Sequence, residues 1–344
     1  MAERDVATHP YRLFNPLLPE RDAHALVALC ERHGAHGLYS EEGLNSGIGE
    51  GLPQRFDSAL NFVRTGGRFA RTDEDRRTLA ARTNYFRETY AYGDEIRAPG
   101  IEAFLRHEGF VDAAREVHGR MLIEPVIVFA NLLIPGQELA VHTDVPEFRG
   151  ANRRIFPQWL LVVMHHARLF ARWHMPIATG VAWFHDANGG EFAFYPGGAD
   201  GASVALPVRF NTAIVTDTDS VFHGVDRVHE TALPIPPLRP GMKLVPEGDG
   251  VWAVRGDGET LARYRWPELR FSVSWKAYCF ADEAECTRWR DHRDDVSLET
   301  VLAALERDLR ARGELAGPLP ERRDFAKLLV DTYVRFPKPE TAPC

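Results

Sequence analysis

The chain has 344 residues, 44% hydrophobic and 26% charged, the composition of an ordinary globular protein long enough for one large or two small domains and able to bury a core without disulfide or metal. Its net charge of -8 and pI of about 6.0 argue against a nucleic-acid surface. The cysteines (Cys30, Cys279, Cys286, Cys344) form no C-x-x-C pair, so neither a thiolate zinc site nor a disulfide framework is suggested. No apolar run approaches transmembrane length, and the charged start Met1-Ala2-Glu3-Arg4-Asp5 reads as no signal peptide, so a reducing cytoplasm and no membrane partner are expected.

In chain order, residues 1–18 read as irregular, broken by Pro10 and Pro16. Pro19 opens a helix over 19–33, with Ala23, Leu26, Val27 and Cys30 on one face and Gly34 as its stop. Glycines make 35–70 loop-rich, 85–92 reads as an aromatic strand, and 101–118 as a helix carrying Ile101, Phe104, Leu105 and Val111. From Pro125 the texture changes: 126–134 is a β-run ending at Pro135-Gly136, and 138–145 is the next strand. A segment with Arg149, Arg153 and Arg154 follows, then Pro157 opens an apolar helix to Met175, stopped by Pro176. Strand-like runs come at 178–184, 191–195, 203–206 and 212–215, and His223-Gly224-Val225 ends or follows another. Residues 229–268 read as an insertion, stiffened by Pro234, Pro236, Pro237 and Pro240, with a small hairpin about Gly256-Asp257-Gly258. The stretch 269–278 alternates as a sheet strand, and about 282–335 is helical, with Leu298, Val301, Leu302, Leu305 and Leu309 in one stripe. Short strands so spaced predict a sandwich or barrel rather than a parallel α/β sheet, an α+β fold with a mainly β core.

Chemistry concentrates around Ala140-Val141-His142-Thr143-Asp144-Val145. Alternate side chains of a strand share a face, so His142 and Asp144 point one way and Thr143 the other. An imidazole and a carboxylate on one face can ligate one metal ion, and His223 would complete a facial triad suited to ferrous iron. With 14 histidines and 49 acidic residues a chance His-x-Asp is expected, so the surroundings decide. Pro135-Gly136 leads into the strand of His142, Gly189-Gly190-Glu191 lies at a later strand turn, and the acidic turn Asp217-Thr218-Asp219 precedes His223. His165, His166 and His174 read as structural or pocket-edge residues, and His185-Asp186 as turn chemistry.

In these residues, their order and their spacing, about 120–280 resembles the iron(II)- and 2-oxoglutarate-dependent oxygenases, in particular the prolyl-hydroxylase-like branch, and the helix from Leu18-Pro19-Glu20-Arg21 is similar to helices that precede the barrel there. The resemblance implies a double-stranded β-helix (jelly roll) with flanking N- and C-terminal helices. It implies His142, Asp144 and His223 as metal ligands and catalytic residues, with Fe(II), 2-oxoglutarate and dioxygen as cofactor and cosubstrates. Arg270-Phe271-Ser272 matches the pattern that anchors the distal carboxylate of 2-oxoglutarate, both side chains falling on one face. Residues 229–268 separate it from His223 by more than the family norm, and Arg227 is the rival anchor. Asn131, on the strand before the metal strand, needs hydrogen-bond partners that either 2-oxoglutarate or a backbone group would supply. Tyr85 and Tyr195 read as core packing. In the family the loop of Arg149, Arg153 and Arg154 approaches the substrate, so either an acidic substrate or a solvated basic loop accounts for it.

The domain expected is 1–281, with its β core at 120–280 and the insertion 229–268, followed by a helical extension 282–344 packed on the same domain. The activity implied is that of an oxidoreductase, a dioxygenase hydroxylating or otherwise oxidising a C–H bond of a small molecule such as an amino acid or natural-product intermediate, with release of succinate and CO2. A carboxylate at Asp144, where halogenases of the family carry a small residue, argues against halogenation. The alternatives are a protein (prolyl-type) hydroxylase and a non-catalytic cupin-like metal- or ligand-binding module. A monomer or homodimer is expected, and a nucleic-acid partner is not, since no basic groove interleaved with aromatics is visible.

Overall fold

A computed structural model describes residues 10–39, 47–71, 74–232 and 234–341; the start Met1 to Asp5 and Cys344 lie outside them. The N-terminal part contains β1 (Tyr11–Phe14), α1 (Glu20–His33), β2 (His36–Leu38), α2 (Phe56–Thr65), α3 (Arg76–Thr83), β3 (Phe86–Tyr92), β4 (Glu95–Ile96), α4 (Glu102–Leu105) and α5 (Glu108–His118). The central part runs through β5 (Leu122–Leu133), β6 (Leu139–His142), β7 (Glu147–Phe148), α6 (Gln158–Ala167), β8 (His174–Met175), β9 (Ile177–Trp183), β10 (Phe192–Phe194), β11 (Val204–Leu206), β12 (Thr212–Thr216) and β13 (His223–Val225). Then come β14 (Lys243–Gly248), β15 (Val251–Gly256), β16 (Glu259–Arg265), β17 (Arg270–Phe280), α7 (Glu283–Arg290), α8 (Leu298–Ala311) and α9 (Arg322–Tyr333).

Strand order defines the architecture. One sheet of 11 strands contains the run β12-β9-β17-β5, and a second sheet of 4 has the order β11-β10-β13-β6. Strands β5, β6, β9 and β10 alternate between the sheets, β11 stays in the second beside β10, and β12, β13 and β17 alternate again, which is the winding of a double-stranded β-helix. Phe192, Phe194, Val181, Trp183 and Ile214 fill one end of the space between the sheets.

Period-two alternation on β17 separates two environments. Phe271, Val273, Trp275 and Ala277 face the outer helices and join the large core with Ala23 and Leu26 of α1 and Phe110 and Ala113 of α5. The Trp275 indole N–H donates to the Leu105 carbonyl at 2.7 Å, fixing that direction. The intervening Arg270, Ser272, Ser274 and Lys276 face the barrel interior and are buried. A buried row of four polar side chains needs partners.

Several elements differ from the sequence reading. Segment 35–70 is more than loop: α2 forms there because Phe56 and Phe62 share a buried face. The helix expected over 101–118 breaks at Arg106, and His107 starts a new one by accepting, at Nδ1, the amide N–H of Phe110. Helix α6 ends at Ala167, where Arg168 turns left-handed at φ 59, and His174 already belongs to β8. It joins Val301 and Leu305 of α8 and Phe325 of α9 in one buried cluster. The insertion is a three-stranded antiparallel meander, β14-β15-β16, which extends the large sheet through β2. Residues 11–14 pair with β12.

Candidate metal centre and adjoining cavity

Strands β6 and β13 pair antiparallel with His142 directly opposite His223, and the imidazole centroids lie 4.4 Å apart. Gly224 permits this approach, because a Cβ there would meet the Leu139 carbonyl at 2.8 Å. The strand ends at His142, earlier than its alternation predicts, yet the alternation persists: Thr143 turns away, its hydroxyl 3.3 Å from His166 Nε2, while Asp144 turns inward. Two contacts hold this turn, the Asp144 amide donating to the Thr218 carbonyl at 2.8 Å and Arg55 Nη2 donating to the Thr143 carbonyl at 2.8 Å. Candidate ligand atoms of His142, Asp144 and His223 all lie within 4.8 Å of one another.

The donor chemistry fits a divalent metal. His142 Nδ1 donates to the Ala140 carbonyl at 2.6 Å and His223 Nδ1 to the Val221 carbonyl at 3.0 Å. Each carbonyl holds the proton on Nδ1 and leaves the Nε2 lone pair free to ligate. Burial holds both imidazoles below their ordinary range, His142 well below it with the help of neighbouring His223, so both are neutral and able to bind metal. Burial alone would raise the Asp144 carboxyl, but the Lys276 ammonium beside it outweighs burial and holds it well below the usual carboxylate range. Lys276 Nζ donates to Asp144 Oδ2 at 2.7 Å and to Thr179 Oγ1 at 3.0 Å.

Arg270 lies at the start of β17, 2% exposed. Its Nε donates to the Gly190 carbonyl at 2.6 Å and its Nη1 to Ser272 Oγ at 3.1 Å, while Nη2 has no partner. Asn131, opposite Ser272 in the register, donates from Nδ2 to Ser274 Oγ at 3.2 Å, and its Oδ1 is likewise buried without a partner. The Gly-Gly turn has a steric reason: Gly190 has φ 71, and a Cβ there would lie 2.5 Å from Arg270 Cδ. Arg227, the rival anchor, is committed elsewhere, donating to Glu138 at 2.9 Å and to Glu230 at 3.1 Å.

A cavity of about 590 Å³ opens beside His142, Asp144 and Lys276, walled largely by residues 38–85. The three loop arginines part ways. Arg149 is tied to Asp294 at 2.9 Å, Arg154 is exposed with its guanidinium over Tyr92, and Arg153 lines the cavity. Tyr85 lines it too; Tyr195 is buried, held near Glu340 and Arg68. His165 meets Ser220 Oγ at 3.1 Å and His185 the Leu269 carbonyl at 2.6 Å, both structural contacts.

Sequence reasoning missed Lys276, Arg55 and Arg87. Lys276 was within reach, since it stands an even number of residues after Arg270 on an alternating strand and so shares its face. Arg55 and Arg87 act across strand and loop pairings that no local pattern announces.

No protein-family model matches the chain, and no curated protein matches it. Solved structures do align over most of its length. A prolyl-4-hydroxylase from Pseudomonas putida is 14% identical over 80% of this chain and 95% of its own, with a TM-score of 0.38. The 2-oxoglutarate-dependent epimerase SnoN of nogalamycin biosynthesis is 11% identical over 79% of each chain, with a TM-score of 0.41. HygX from Streptomyces hygroscopicus, solved with nickel and 2-oxoglutarate bound, is 9% identical over 79% of this chain and 84% of its own, with a TM-score of 0.37. Among the described residues no helix is long and apolar enough to cross a membrane.

Proposed function

We propose that this chain is an iron(II)- and 2-oxoglutarate-dependent oxygenase that oxidises a C–H bond of a small molecule, releasing succinate and CO2. The observation that carries the reading is the meeting of His142, Asp144 and His223, both imidazoles locked with Nε2 free and the carboxylate kept ionised. Such a triad leaves adjacent coordination positions open. The bound metal, with 2-oxoglutarate and dioxygen, would supply the oxidising chemistry. The protein's share is positional. Arg270 and Ser272 would hold the distal carboxylate of 2-oxoglutarate, the unpartnered Arg270 Nη2 and Asn131 Oδ1 being the polar atoms left for a ligand. Lys276 keeps Asp144 ionised and aimed, and the cavity seats the substrate beside the triad. Its volume suits a small molecule. The division into an oxygenase domain 1–281 and a packed helical extension 282–344 belongs to the same proposal.

The test is 2-oxoglutarate binding to purified protein under anaerobic, iron-replete conditions, followed by succinate formation on admitting air. A chain that ignores 2-oxoglutarate under those conditions is not an oxygenase of this kind.

A further inference from the structure

The cavity carries a charge imbalance that the metal site does not use. Arg55, Arg87, Arg153 and Lys276 line it, and among the described residues Asp144 is the sole lining carboxylate. Arg55 is matched by Asp57 at 2.9 Å and Lys276 by Asp144 at 2.7 Å. Arg87 and Arg153 make no ion pair among the described residues, and both border space that a ligand can enter.

Arg87 is the better placed of the two. It lies on β3 directly across from Asn131. Its guanidinium carbon sits 3.5 Å from the Phe129 ring centroid and 4.5 Å from that of Tyr39, with Tyr85 at 5.9 Å. Aromatic rings therefore cover the guanidinium faces and fix its plane. A guanidinium donates in that plane, so its N–H edges stay available, and Nε is buried without a partner. The acceptor that matches a fixed planar fork is a planar pair of oxygens.

We propose that the substrate is a small organic acid whose carboxylate is held by Arg87, with Arg153 adding positive charge to the same cavity. Naming the bound acid a substrate rests on the oxygenase reading; the Arg87 subsite itself does not.

The test uses the full-length chain with zinc in place of iron and 2-oxoglutarate present, and isothermal titration with matched pairs: hippurate against hippuramide, and N-acetylphenylalanine against its carboxamide. The acids should bind about tenfold or more tighter than the amides, as expected for a charge-assisted pair. Arg87→Gln should erase that preference, and Arg87→Lys should restore part of it by returning the charge without the fork. Arg153→Gln should weaken acid binding less. Equal binding of acids and amides, no binding of either acid, or a preference that survives in folded R87Q would overturn the proposal. So would a loss of 2-oxoglutarate affinity in R87Q, which would make Arg87 a cosubstrate ligand. If wild-type protein ignores 2-oxoglutarate while the Arg87-dependent acid preference stands, the oxygenase reading fails and the acid subsite survives.

Discussion

Replacing Gly190 by alanine tests whether the turn between β9 and β10 sets the position of Arg270. Two effects follow from the geometry. Gly190 has φ 71, and an L residue there costs about 1–2 kcal/mol. The new Cβ would also stand 2.5 Å from Arg270 Cδ, where ordinary contact begins near 3.4 Å, so the arginine stem must move by about an ångström. A guanidinium displaced that far no longer meets a carboxylate with both donors, and a charge-assisted contact of about 1.5–3 kcal/mol is lost. Affinity for 2-oxoglutarate should fall about tenfold to a hundredfold. Iron stoichiometry should stay at the wild-type value, because none of the triad touches Gly190. Anaerobic titration calorimetry reads the first quantity and metal analysis after gel filtration the second. Wild-type 2-oxoglutarate affinity in folded, iron-loaded G190A would refute the assignment of Arg270, and parallel loss of iron would refute the claim that the two sites are separately held.

His142→Ala and His223→Ala should each abolish stable iron binding, read as metal per chain after dialysis; retention of full stoichiometry by either would place the metal elsewhere. Lys276→Met leaves Asp144 without its ammonium partner. The metal-free protein should lose about 2 kcal/mol, less than a fully buried pair because solvent reaches Asp144, and added zinc should raise its melting temperature more than it raises that of the wild type. An equal zinc-induced rise in the two proteins would argue that Lys276 plays no part in balancing the carboxylate. Leu305→Ala, in the buried cluster that α8 shares with α6 and α9, should cost about 2–5 kcal/mol in urea unfolding, and a neutral result would mean that the C-terminal helices do not share that core.

Legibility from sequence followed the range of the interactions involved. His142 and Asp144 were readable because a period of two is a local property, and it outlasted the strand itself, which stops at His142. Arg270 and Ser272 were readable for the same reason, and Lys276 would have been with the alternation carried to the end of β17. Helix ends were less so. The break between α4 and α5 depends on a histidine cap, and the end of α6 on one left-handed arginine, neither of which a hydrophobic stripe records. Arg87 was hidden more deeply. Its meaning comes from the pairing of β3 with β5 and from a tyrosine far away in the chain, Tyr39. Of the meander in 229–268 the hairpin about Gly256-Asp257-Gly258, formed by β15 and β16, was readable, whereas the pairing of β14 with β2 that ties it to the large sheet was not.

The cavity wall and the metal triad come from separate stretches of polypeptide. The triad comes from β6, the turn directly after it and β13, whereas much of the wall comes from residues 38–85, ahead of the barrel. The cavity can therefore vary with little change at the triad. Exchanging that leading stretch between proteins of this architecture, with Arg55 kept because it braces the turn of Asp144, would reshape the cavity while sparing the triad, and a laboratory seeking new ligands would diversify Tyr39, Phe62, Leu79 and Tyr85 before touching any strand that carries a triad residue.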